Sequence, residues 1–107
     1  MSYTYHGSEA LQQPIDAALR RVVDPELALN IVDLGLVYGV TADEDEVGVR
    51  LTMTSEACPV TDLILRELGE EIERVIPPDA KILLDLVWSP PWQSEFMSGR
   101  AKALMGW

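Results

Sequence analysis

The 107-residue sequence predicts an α/β domain of the two-layer α+β kind, with element order α-β-β-α-β-α. Three observations carry this expectation. Val47, Val49, Leu51 and Met53 alternate with Gly48, Arg50, Thr52 and Thr54, the period of a half-buried strand. Val60, Leu63, Ile64, Leu68, Ile72 and Val75 recur at helical spacing and give one apolar face. Only Asp43-Glu44-Asp45 separates the alternating stretch from an apolar run before it, a turn short enough to force an antiparallel hairpin. A small three-stranded mixed sheet with helices packed mainly on one face buries these elements most simply.

Residues 1–10 show no periodicity and are expected to be a flexible arm, leaving 11–107 as one domain. Pro14 is placed to open the first helix, whose inner face is Ile15, Ala18, Leu19 and Val22. Asp24-Pro25 stops it, because a residue before proline is driven out of the helical region. Residues 26–35 mix turn formers with leucine and isoleucine and read as an ordered loop, with Gly35 free to supply a positive φ. Strands follow at 36 to about 42 and 46 to about 54, then a helix over about 59–76, stopped by Pro77-Pro78. The last strand runs over about 81–88, with Ile82, Leu84, Leu86 and Trp88 on one face. Ser89-Pro90-Pro91-Trp92 forms a rigid turn, and Ser94 can cap a short final helix holding Phe96, Met97, Ala101 and Leu104.

Eight Lys and Arg against 18 Asp and Glu leave a net charge of −10, which repels phosphate backbones and anionic lipid. Nucleic-acid and membrane partners are therefore not expected. No apolar run is long enough to span a bilayer, the first residues lack the features of a signal peptide, and the lone cysteine asks for no oxidising compartment. A cytoplasmic protein is expected.

Chemistry is sought first at Cys58. It sits where strand gives way to helix, and Pro59 follows in the first turn, so the helix dipole favours the thiolate. A buried structural cysteine is the plainer alternative. The only histidine, His6, lies in the expected arm, so no base is placed beside the thiol, and a thiol enzyme is disfavoured. Asp24 and Glu26 could aim two carboxylates from one rigid turn or merely end a helix. Asp33 could serve the same region or form a turn. Thr52 and Thr54 could line a pocket at the strand end or fill a strand. Pro90, Pro91 and Trp92 could present a partner surface or roof the core. One cysteine falls short of the four ligands that structural zinc or an iron–sulfur cluster ordinarily wants.

Four segments carry a resemblance. Val23-Asp24-Pro25-Glu26-Leu27 with Asn30-Ile31-Val32-Asp33-Leu34-Gly35-Leu36-Val37-Tyr38, then Leu51-Thr52-Met53-Thr54 with Cys58-Pro59, then Trp88-Ser89-Pro90-Pro91-Trp92, and finally Met97-Ser98 with Ala101-Lys102, resemble the metal–sulfur cluster assembly factor family, long called domain of unknown function 59. The wording looks more SufT-like than PaaD-like. The resemblance implies a factor that carries or targets iron–sulfur clusters to client apoproteins alongside the assembly machinery, without turnover. Cys58 would be the functional cysteine, Asp24 and Glu26 candidate metal or cluster ligands, and Thr52, Thr54 and Asp33 the supporting pocket. A transient cluster or iron, and a homodimer supplying the missing ligands, are implied partners of the site. The alternative is a metal-free interaction adaptor in a PaaD-like oxygenase maturation system, with Cys58 structural. Two departures stand out: Glu56 puts a negative charge near the thiol, which disfavours its thiolate, and Ser89 stands where aspartate is common.

Overall fold

Alternation along the central hairpin decides which way the sheet faces. The fold is that of a computed structural model, which describes residues 3–54 and 59–106. Strands β4 (Val37–Ala42) and β5 (Glu46–Leu51) pair antiparallel, Val40 opposite Val49 and Ala42 opposite Val47, and these four side chains are buried together. Helix α2 (Thr61–Glu73) crosses back so that β6 (Lys81–Leu86) lies parallel to β5. Helix α1 (Glu9–Arg21) contributes Ile15, Ala18 and Leu19 to the same core, and α2 contributes Ile64, Leu68 and Ile72. The two helices thus cover one face of the sheet, as the hydrophobic patterns require.

The sheet has four strands rather than the expected three, in the order β1-β4-β5-β6. The supposed arm holds the fourth: β1 (Thr4–Gly7) pairs parallel with β4, Tyr5 opposite Val40. Its four residues are too few to show a period, and its partner lies far along the chain. Tyr3 is buried, and its hydroxyl donates to Asp16 of α1 at 2.5 Å, so the segment is pinned on both sides.

Other boundaries move for local reasons. The first helix begins at Glu9, not Pro14, which sits inside it. Proline removes the N–H that would reach the Ala10 carbonyl, and Ala10 is exposed, so that carbonyl stays hydrated. The strand expected to reach residue 54 ends at Leu51, where its partner β4 begins at Val37. Strand β6 likewise ends at Leu86, leaving Trp88 39% exposed rather than on the core face. The cap of the last helix α3 (Gly99–Met105) is Ser98, whose hydroxyl accepts from the Ala101 N–H; Ser94 opens a single 3₁₀ turn, Ser94–Phe96. Leu104, expected inward, is exposed.

Between α1 and β4 the chain makes a small antiparallel ribbon from β2 (Val23–Asp24) and β3 (Leu29–Asn30). Leu29, Ile31 and Leu34 are buried there, as expected of an ordered loop. Among the described residues, no helix is long and apolar enough to cross a membrane.

Candidate functional site

One end of the sheet gathers residues from all four sequence segments. There β4 starts and β5 and β6 finish, and the ladder is extended by the Thr52 N–H donating to Leu36 O and the Val87 N–H to Leu51 O, both at 2.8 Å. The chain after Val87 then folds back over this end and is held by two side-chain donors. Tyr38 Oη donates to Pro90 O at 2.7 Å, and Trp92 Nε1 donates to Leu34 O at 2.8 Å. Tyr38 and Phe96 meet edge to face with ring centroids 5.9 Å apart, a favoured aromatic geometry.

Close approach at this clasp requires a glycine. Gly35 has φ 76°, and a Cβ there would stand 2.3 Å from Phe96 O. The positive φ expected of Gly35 is therefore present, with a steric demand added. The clasp encloses an open cavity of about 870 Å³, lined by Tyr38, Arg50, Asp85 and Glu95 with Val87, Pro90, Phe96 and Met97. Apolar walls with a few polar groups are the usual make-up of a ligand pocket of this size. Burial raises the Tyr38 phenol above its ordinary pKa, partly opposed by the Thr52 hydroxyl. Tyr38 thus stays a neutral donor.

Each site residue singled out in the sequence has a definite place, apart from Cys58, which with Ser55, Glu56 and Ala57 lies outside the described residues. Thr52 is fully buried and Thr54 is exposed. Asp24 is 4% exposed; its Oδ1 accepts from the backbone N–H of Glu26 at 2.8 Å and, more weakly, of Leu27 at 3.4 Å. That is the geometry of an Asx turn. Among the described residues, Oδ2 makes no further hydrogen bond. Glu26 points to solvent, and the turn closes through Ala28 at φ 57°, an uncommon conformation for a side-chain-bearing residue.

Asp33 is 5% exposed and densely occupied. It accepts from Asn30 Nδ2 at 2.7 Å, lies 3.4 Å from Arg100 Nη1 and 3.6 Å from Arg20 Nη1, and its backbone carbonyl accepts from Ser98 N–H. Its carboxylate thereby fastens the β3–β4 turn to α1 and α3. Pro90 and Pro91 are exposed while Trp92 is half-buried under its hydrogen bond. Among the described residues, no three His, Asp or Glu side chains converge as a metal-holding group.

Sequence reasoning missed Arg50, Asp85 and Glu95 as pocket residues. For Arg50 the signal existed: alternation placed it outward from the core, and it is one of only eight basic residues in an acidic chain.

Comparison with known proteins gives a consistent result. The family model for iron–sulfur cluster assembly proteins matches residues 12–84. The chain is 41% identical over 99 residues to the Fe-S protein maturation auxiliary factor YitW of Bacillus subtilis, covering 92% of this chain and 96% of that one. It is 41% identical over 86 residues to the Fe-S protein maturation auxiliary factor SufT of Staphylococcus aureus, covering 79% and 97%. Among solved structures, a domain of unknown function 59 from Bacillus anthracis superposes with a TM-score of 0.83 at 40% identity, covering 92% and 93%.

Proposed function

This chain belongs to the iron–sulfur cluster assembly protein family, and from that premise we propose that it is a SufT-like maturation factor, carrying or targeting iron–sulfur clusters to client apoproteins in the cytoplasm. The observation that carries this reading is the convergence of the family-like segments on the clasped end of the sheet, beside the about 870 Å³ cavity. The cluster or iron is cargo. Cys58 supplies a thiolate to it, and Asp24, whose Oδ2 makes no hydrogen bond to a described residue, is the better placed of the two carboxylates to assist; Glu26 forms the rim of the same turn. One chain brings one thiol, so the remaining ligands come from the client or from a second copy. Thr52, Thr54 and Asp33 shape and brace the site, and Pro90, Pro91 and Trp92 present the surface that meets clients or the assembly machinery. The protein acts by binding, with no turnover of its own.

Anaerobic reconstitution with iron and sulfide tests this. A charge-transfer band in the absorption spectrum that disappears in Cys58→Ala supports the carrier role. A spectrum without such a band in wild type sinks it and leaves a metal-free docking adaptor.

A further inference from the structure

Three charged side chains line the clasped cavity. Arg50 and Asp85 come from the sheet, where they are register partners on β5 and β6, and Glu95 comes from the 3₁₀ turn of the clasp. None of the three forms an ion pair with a described residue. The charges are also unevenly placed. Arg50 leans across β4: its Nη2 lies 3.3 Å from where a Cβ would stand on Gly39, on the side of β5 away from Asp85. The two carboxylates are thus left to dominate the rest of the cavity.

Two carboxylates by themselves would be no more than a solvated acidic patch. Here they share a cavity with aromatic rings. Tyr38 and Phe96 both line it, with their planes 85° apart, and a ring face attracts a cation brought close to it. The remaining walls, Val87, Pro90 and Met97, are apolar. A net charge of −10 also draws cationic partners toward the chain from solution.

We propose that this cavity docks an arginine side chain of a client segment, its guanidinium paired with Asp85 and Glu95 and stacked on an aromatic wall. The proposal rests on the reading of this end as the surface that meets clients, and it names what that surface recognises. Arginine fits better than lysine, because its flat fork matches carboxylates and stacks on rings, whereas an ammonium is a strongly hydrated point charge. A cavity of about 870 Å³ holds far more than one guanidinium, so an apolar side chain beside the arginine rests on Val87, Pro90 and Met97.

Fluorescence anisotropy of the full, metal-free chain tests this with the labelled peptide Ser-Gly-Leu-Arg-Leu-Gly-Ser and its citrulline twin, which keeps the shape and loses the charge. The arginine peptide should bind about tenfold more tightly, and the margin should shrink with added salt. Asp85→Asn and Glu95→Gln should each weaken it roughly threefold, the scale of an exposed ion pair, and leave the citrulline twin unaffected. Arg50→Gln removes a like charge from the cavity and should tighten binding of the arginine peptide. All three positions are exposed, and circular dichroism checks that each variant is folded. Equal affinity for the two peptides overturns the proposal, as do carboxylate variants that bind like wild type. Weaker binding by Arg50→Gln overturns it too, since the cavity would then favour an acidic partner. The titration contains no iron, so a failed cluster reconstitution leaves its result standing, and an indifferent cavity leaves the carrier reading standing.

Discussion

Asp24 and Asp33 lie nine residues apart in one turn-rich stretch, and both are almost sealed from water. Their carboxylates are nevertheless used differently. Asp24 is consumed locally: one oxygen accepts from N–H groups two and three residues on, and the other makes no hydrogen bond to a described residue. Asp33 is consumed globally, tying a turn to two helices through Asn30, Arg20 and Arg100. A buried carboxylate whose every contact stabilises the fold has little left for a ligand, whereas one with a spare oxygen can serve both purposes. Burial alone does not distinguish a bracing acid from a binding acid; the range of its partners does.

The largest effect is expected on the Asp33 side, at the glycine that lets its turn close. Gly35→Ala adds a Cβ against Phe96 O at a positive φ and should cost about 3 kcal/mol in urea unfolding. A loss below about 1 kcal/mol would mean the clasp shifts easily and the contact is unimportant. Asp33→Ala should cost about 2 kcal/mol, discounted because both arginines are largely exposed to solvent. Iron binding by the variant protein, measured while it is folded, should be unchanged; a loss would erase the contrast with Asp24.

Asp24→Ala should cost only about 1 kcal/mol, the worth of its turn hydrogen bonds, and should also weaken iron binding. If stability falls and iron binding does not, Asp24 is a turn former and nothing more. Tyr3→Phe probes the arm of the Asp33 network that reaches β1 through Asp16 and Arg20. Burial, reinforced by the bond to Asp16, holds the Tyr3 phenol above its ordinary value of 10. A raised folded-state value means this contribution is complete below pH 10 and is lost as pH climbs past it. Wild type should therefore lose stability there, and the phenylalanine variant, about 1 kcal/mol less stable at pH 7, should lose less. Equal slopes in thermal melts would remove Tyr3 from the network. Glu26→Ala should change stability by less than about 0.5 kcal/mol, so any effect on iron binding would isolate a role in the site.

How much of this was legible in the sequence depends on range. The hairpin, α2 and β6 each announce themselves by a period within a dozen residues. Strand β1 does not, because four residues carry no period and its partner lies in a distant β4. The choice of Ser98 over Ser94 as a cap turned on how the chain folds back after Pro91, which no local pattern records. For the candidate site, Pro90 and Trp92 fall in the clasp through long-range bonds to Tyr38 and Leu34, while Asp24 makes only local turn bonds to the Glu26 and Leu27 N–H groups. Asp33 looked like a turn former and is one through Asn30, but its links to Arg20 and Arg100 join parts of the chain that only the fold brings together.

The clasp over the sheet end has a consequence for which substitutions the protein can absorb. Both of its donors are side chains, Tyr38 and Trp92, and both acceptors are main-chain carbonyls, at Pro90 and Leu34. Every residue owns a carbonyl, so the bonds constrain the donors and place no demand on the side chains of the residues that accept. Leu34 is held to its identity by burial instead. The latch therefore sets its chemical requirement at Tyr38 and Trp92, and at its acceptor positions asks only that the main chain be in place.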